Sequence, residues 1–105
     1  MAKKKMKIRA WTEGARTTVK AILFHPMETG LRKDKSTGKA IPAHYITEVK
    51  CEHKGKNVLT CLWGPTVSKN PFLSFRFKGA MKGDSLKISW IDNQGQSATT
   101  TAKIG

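Results

Sequence analysis

Three residues in one short stretch carry the clearest chemistry in this sequence: Cys51 and His53, with Cys61 following. Thiolate and imidazole donors of this kind hold zinc, and a thiolate beside an imidazole is the arrangement of a cysteine nucleophile. On a strand, Cys51 and His53 face the same side. A three-residue loop over Gly55-Lys56-Asn57 would place Cys61 directly opposite Cys51, with Cβ atoms about 4.5 to 5.5 Å apart. A zinc site needs a fourth ligand, for which His25 or His44 would have to arrive from elsewhere, and the ligand spacings of structural zinc are absent. Zinc is therefore set aside. For Cys51 and Cys61 two readings stay open. One is a single cross-strand disulfide in an oxidising compartment, although its Cβ separation, near ~3.8 Å, is shorter than the cross-strand distance. The other is a pair of half-buried thiols. Nucleophilic catalysis would need a lowered thiol pKa, of which the sequence carries no sign.

The seven acids are Glu13, Glu28, Asp34, Glu48, Glu52, Asp84 and Asp92. Only Glu48 and Glu52 are near each other, and four residues apart on a strand they share a face at about 13 Å, too far to act as a pair. The nine glycines are scattered and none opens a helix pattern, so no phosphate-binding loop is present. The stretch Leu73-Ser74-Phe75-Arg76-Phe77-Lys78-Gly79 does not fit the aromatic RNA-binding pattern, which places Gly between the basic residue and the first aromatic. These residues give no catalytic set, no cofactor site and no metal site, and the chain is not expected to be an enzyme.

Elements that could position such residues follow from period-two alternation. Leu73 to Lys78 and Leu86-Lys87-Ile88-Ser89-Trp90 place apolar residues on one face and polar residues on the other, which predicts half-buried strands. Asp92-Asn93-Gln94-Gly95 supplies turn chemistry before the Thr-rich tail, making residues 84 to 104 a hairpin. Upstream, Thr17 to His25 is β-branched and apolar and stops at Pro26. The segments Ile46 to His53 and Val58 to Trp63 flank Lys54-Gly55-Lys56-Asn57 as a second hairpin, and Lys7 to Trp11 adds a first strand. The segment from Met27 to Ala43 reads as a long loop. No helical stripe appears. The expectation is all-β: an antiparallel immunoglobulin-like β-sandwich of about seven strands over residues 7–105, after a basic N-terminal extension over residues 1–6, with a small barrel as the alternative. A chain of 105 residues can bury enough surface to fold as one domain without a disulfide.

Charge restricts the partners. Twenty Lys and Arg against seven Asp and Glu give a net charge of +13. Nucleic acid and an acidic protein surface are the ordinary attractors of such a chain. Only Lys3-Lys4-Lys5 is a charge run, with a looser group at Arg32, Lys33, Lys35 and Lys39. No apolar run approaches the roughly 18 residues of a membrane-spanning helix. The basic start is followed by Ile8-Arg9-Ala10-Trp11 rather than an apolar segment, so the sequence is not expected to direct its own export.

Two compact motifs are left that core-building does not require. In His25-Pro26-Met27-Glu28-Thr29-Gly30, Pro26 ends a strand and Gly30 permits a sharp turn, so Met27 and Glu28 are expected to be presented at an end of the sandwich. In Asn70-Pro71-Phe72-Leu73-Ser74-Phe75, Pro71 orders the start of the Phe-rich strand. These motifs, with Gly83 to Gly95 and Ala102-Lys103-Ile104, resemble the SoxZ family of sulfur-oxidation proteins from about residue 7 onward. The resemblance implies an immunoglobulin-like sandwich that pairs with SoxY in the SoxYZ carrier of thiosulfate oxidation. SoxY bears the intermediates on a cysteine in its C-terminal arm, and other Sox enzymes engage the complex transiently. It also implies a periplasmic location reached by co-export with SoxY, and a binding subunit without catalysis or cofactor. Met27, Glu28, Asn70, Phe72 and Phe75 are the residues expected near the partner. Self-association of the isolated chain through the vacant surface is a further expectation, and a basic nucleic-acid-binding β-domain is the alternative.

Overall fold

The computed structural model describes residues 6–105. They form seven strands: β1 (Met6–Glu13), β2 (Arg16–Leu23), β3 (Ile46–His53), β4 (Lys56–Leu62), β5 (Phe72–Lys78), β6 (Ser85–Asp92) and β7 (Ser97–Lys103). They make two sheets, ordered β1-β2-β5 and β4-β3-β6-β7, with every neighbouring pair antiparallel. The all-β sandwich expected from the sequence is the fold. Strand β1 opens one residue before the expected start, with Met6 already buried. The remainder of the expected basic extension lies outside the described residues.

Alternation builds both layers. In β2, Thr17, Val19, Ala21 and Leu23 are buried, and in β6, Leu86, Ile88, Trp90 and Asp92 are buried. The two inner faces close over a core that also takes in Ile46, Val49, Cys51, Leu73 and Ile104. Phe75 and Phe77 pack against that core from β5 rather than standing outward. The end of the chain finishes the seam between the sheets. Gly105 N–H donates to the Ala10 carbonyl (2.8 Å) and the Gly105 carbonyl accepts from Thr12 N–H (3.3 Å), which covers the open edge of β1.

The turn between β3 and β4 decides where the cysteines stand. It has two residues, Lys54 and Gly55, both with positive φ (52° and 78°), the geometry of a tight hairpin turn. A register shift between Cys51 and Glu52 then adds one residue on β4. Cys51 therefore faces Leu59, and Cys61 faces Val49. The expected opposition of Cys51 and Cys61 is not formed, because the turn falls on Lys54-Gly55 rather than on Gly55-Lys56-Asn57, which moves the register by three residues, and the bulge restores one of them.

The long loop after β2 is stitched internally. Glu28 and His44 form a backbone bridge with hydrogen bonds of 2.7 and 3.0 Å, and Lys33 bridges Ala40. Two limbs therefore run side by side at one end of the sandwich, and the bridge sets His44 close to the strand end that carries His25.

Candidate functional site

At that end, three polar side chains meet in the inward phase of otherwise apolar strands. His25 extends the buried series Val19, Ala21, Leu23 past the end of β2, and Asp92 ends the buried series of β6. His25 Nε2 lies 3.0 Å from Asp92 Oδ2, and His44 Nε2 lies 2.7 Å from the same oxygen. The other oxygen, Oδ1, accepts from the backbone N–H groups of Gln94 (3.0 Å) and Gln96 (2.8 Å). Burial pushes the Asp92 carboxyl up. The hydrogen bonds from His25, Gln96, His44 and Gln94 outweigh it, so its pKa is held below the ordinary value. The imidazoles stack edge to face, 4.4 Å between centroids, and His25 meets the Trp90 ring at 5.1 Å.

The backbone around His25 is fixed with the same care. Asn70, at φ 50°, accepts the His25 N–H on its side-chain oxygen (3.0 Å), and its own N–H donates to the His25 carbonyl (3.0 Å). Met27, also at φ 50°, donates its N–H to His25 Nδ1 (3.2 Å), while its thioether accepts the Ile46 N–H (3.4 Å). Left-handed backbone costs a non-glycine residue roughly 1 to 2 kcal/mol, so two such residues persist here because the network over-determines them.

The chemistry this arrangement supports is positional. The three side-chain ligand atoms lie within 4.8 Å of one another, close enough to test as a metal centre. A metal at these atoms would need His25 to offer a lone pair at Nε2 and carry its proton on Nδ1, as ligating histidines do. The Met27 N–H already occupies Nδ1, which places the proton on Nε2, where it is donated to Asp92. The cluster is therefore assembled as a hydrogen-bonded lock between the ends of β2 and β6 and the loop strand at His44.

The residues first singled out as chemical are dispersed. His53 sits at the far end of β3 from this lock, about 23 Å away at ~3.3 Å per residue. There its Nε2 meets Asp84 Oδ2 at 2.8 Å, and that carboxylate also accepts the Met81 N–H (3.0 Å). The Met81 N–H and then His53 hold the Asp84 carboxyl below its ordinary pKa. Neither His25 nor His44 joins His53 and the cysteines. Cys51 and Cys61 are free thiols on the same face but two residues out of register. Diagonal neighbours stand about 7 to 8 Å apart, beyond disulfide reach. Burial, then the nearby Glu52, pushes the Cys51 thiol up to about 12, and burial raises Cys61 as well. Both are held as thiols, the reverse of an activated nucleophile.

The five residues expected near a partner also separate. Glu28 stands half-exposed beside an open groove of about 680 Å³ between residues 26–32 and 65–69, its carboxylate pairing with Arg32. That hydrogen bond to Arg32 holds Glu28 below its ordinary pKa. Phe72 is 60% exposed on the outer face of the three-stranded sheet. Asn70 is exposed, but its side chain serves His25. Phe75 packs inward. Met27, expected on display, is 6% exposed and part of the core, because the left-handed turn at that residue swings its thioether under Ile46. The sequence reading missed the pairing of His25 and His44 with Asp92.

Comparison with curated proteins returns no match. The family model described as sulphur oxidation protein SoxZ matches residues 6–103. The match spans nearly the whole sandwich, from the first residue of β1 to the last of β7, and the chain belongs to the SoxZ family of the Sox sulfur-oxidation system.

Proposed function

We propose that this chain is a non-catalytic binding subunit that pairs with SoxY to form the carrier complex of thiosulfate oxidation, helping to present SoxY-bound intermediates to Sox enzymes in the periplasm, where it travels with SoxY. The observation that carries this reading is the family match over residues 6–103. Two features of the chain support it. Its thiols are raised in pKa and Cys51 is buried, which suits a scaffold better than a group that carries sulfur intermediates. Its histidines are engaged with Asp92 and Asp84 in locks that tie the two ends of the sandwich, leaving loops and sheet faces to do the binding.

Among the residues first expected at the interface, Glu28 and Phe72 keep that assignment, since both side chains reach the surface. Co-purification with SoxY tests it. Phe72→Asp combined with Glu28→Lys is expected to weaken association at least about tenfold, the loss of roughly 1.4 kcal/mol. Unchanged co-purification of a correctly folded double variant would remove these residues from the interface.

A further inference from the structure

The charge of +13 is unevenly placed on the folded chain. The strand register brings Lys7, Arg9, Arg16, Lys20, Arg76 and Lys78 together on the outer face of the β1-β2-β5 sheet. Glu13 is the only acid among the outward residues of these strands, and its carboxylate accepts the Trp11 indole N–H at 2.6 Å. Among the described residues none of the six cations forms an ion pair. Arg9 stands directly opposite Lys20, and Arg16 directly opposite Lys78. Like charges so placed are destabilising, and the one opposite charge on this face, Glu13, stands opposite Arg16 on its other side without forming an ion pair among the described residues.

The other sheet is built differently. On its outer face Lys50 meets Glu48 at 3.1 Å and Lys87 meets Glu52 at 3.5 Å. The same chain therefore pairs Lys50 and Lys87 with acids on one sheet face and leaves the six cations of the other without an ion pair. The positive face also has an apolar end, where Phe72 (60% exposed) stands opposite Ile22 and Phe24 (40% exposed) follows just beyond β2.

We infer that this sheet face is a docking surface for an acidic patch of a partner protein. Arginine and aromatic residues at an otherwise flat surface are the usual anchors of protein interfaces, and an unpaired field of one sign steers a partner of the other sign. Nucleic acid fits less well. Binding of single strands relies on open rings on which bases stack. Here Lys20 lies over the Trp11 ring at 5.8 Å, the Trp11 edge is tied to Glu13, and Phe75 and Phe77 turn into the core, leaving only Phe72 and the part-exposed Phe24, both at one end rather than along the cations. A lipid surface would need apolar residues distributed among the cations, whereas here they are gathered at one end. The partner supplies the missing counter-charges to the Arg9–Lys20 and Arg16–Lys78 pairs and an apolar contact for Phe72. Phe72, proposed above to meet SoxY, lies at the edge of this surface; the inference rests on the cations and is tested without SoxY present, so either reading can fail without the other.

The test uses the full chain and fluorescently labelled poly-L-glutamate, with anisotropy read at about 50 mM and about 500 mM NaCl, where screening differs several-fold. The chain is expected to bind at low salt and release at high salt. Arg9→Glu with Lys78→Glu converts both like-charge oppositions into attractive ones, so the melting temperature should hold or rise while affinity falls at least about tenfold. Lys35→Glu with Lys39→Glu makes the same change in net charge on the exposed loop and should weaken binding less than about twofold. Equal losses from the two double variants would overturn the inference, since net charge alone would then account for binding. It would also be overturned if a labelled single-stranded oligodeoxynucleotide, or vesicles of phosphatidylglycerol and phosphatidylcholine, were held through Arg9 and Lys78 more tightly than polyglutamate.

Discussion

Replacing Asp92 with Asn tests the reasoning about the buried lock most sharply. The native carboxylate accepts four hydrogen bonds, two on each oxygen. Asparagine offers one oxygen and one NH2 group in the same space. If its oxygen stays on the Gln94 and Gln96 amides, the NH2 group faces both Nε2 atoms. His44, half-exposed, can shift its proton to Nδ1 and accept. His25 cannot, because its Nδ1 already holds the Met27 N–H. At least one buried donor–donor contact remains, and the negative charge that strengthened all four bonds is gone. Breaking a buried charged network of this kind costs about 3 to 5 kcal/mol. Against a typical total of ~5 to 15 kcal/mol, that is a large part of the stability. Urea unfolding followed by tryptophan fluorescence should show the midpoint falling at an unchanged slope, and the melting temperature falling by at least about 12 °C. The difference from the parent should shrink in acid, where the parent's own carboxylate becomes protonated. A loss below about 1 kcal/mol at neutral pH would refute the assignment of Asp92 as the tie between the three segments.

Other outcomes follow from the same structure. Asp84 and Asp92 both titrate below the ordinary value of 3.8 when folded, so their stabilisation is fully present above that pH and is lost as the pH falls through their lowered folded-state values. Denaturant midpoints should therefore hold on acidification until about pH 4 and then drop, whereas a decline beginning near pH 6 would point to histidine charging instead. Cys51, buried with its thiol raised to about 12, should resist alkylation in the native protein and react only on unfolding, and non-reducing gels should show no internal Cys51–Cys61 bond after mild oxidation. Gly30 has φ 88° and an added Cβ would lie 3.2 Å from the Ala43 Cβ, so Gly30→Ala should lower stability by about 1 to 2 kcal/mol, read by thermal melting.

The strands were legible because both sheets bury one face each, and period-two alternation is the direct imprint of that burial. Residues 73–78 and 86–90 show it without ambiguity. The cysteine pairing was not legible, since it hangs on where a two-residue turn falls and on a bulge, and Lys54 carries no mark in its identity of adopting φ 52°. Met27 misled for a related reason. Pro26 and Gly30 announce a turn correctly, but the side chain between them folds under the strand end, and turn chemistry does not fix that direction. The His25, His44 and Asp92 cluster joins residues 48 and 67 positions apart in sequence, so no local spacing announces it. A trace was nonetheless present. His25 and Asp92 each fall in the buried phase of their own alternation, and a polar residue there must find a partner.

Pairing with SoxY is read by sedimentation of the purified chain mixed with SoxY at micromolar concentration. A single boundary with the mass of one chain of each is expected. Two boundaries, each with the mass of its separate component across the concentration range, would contradict it.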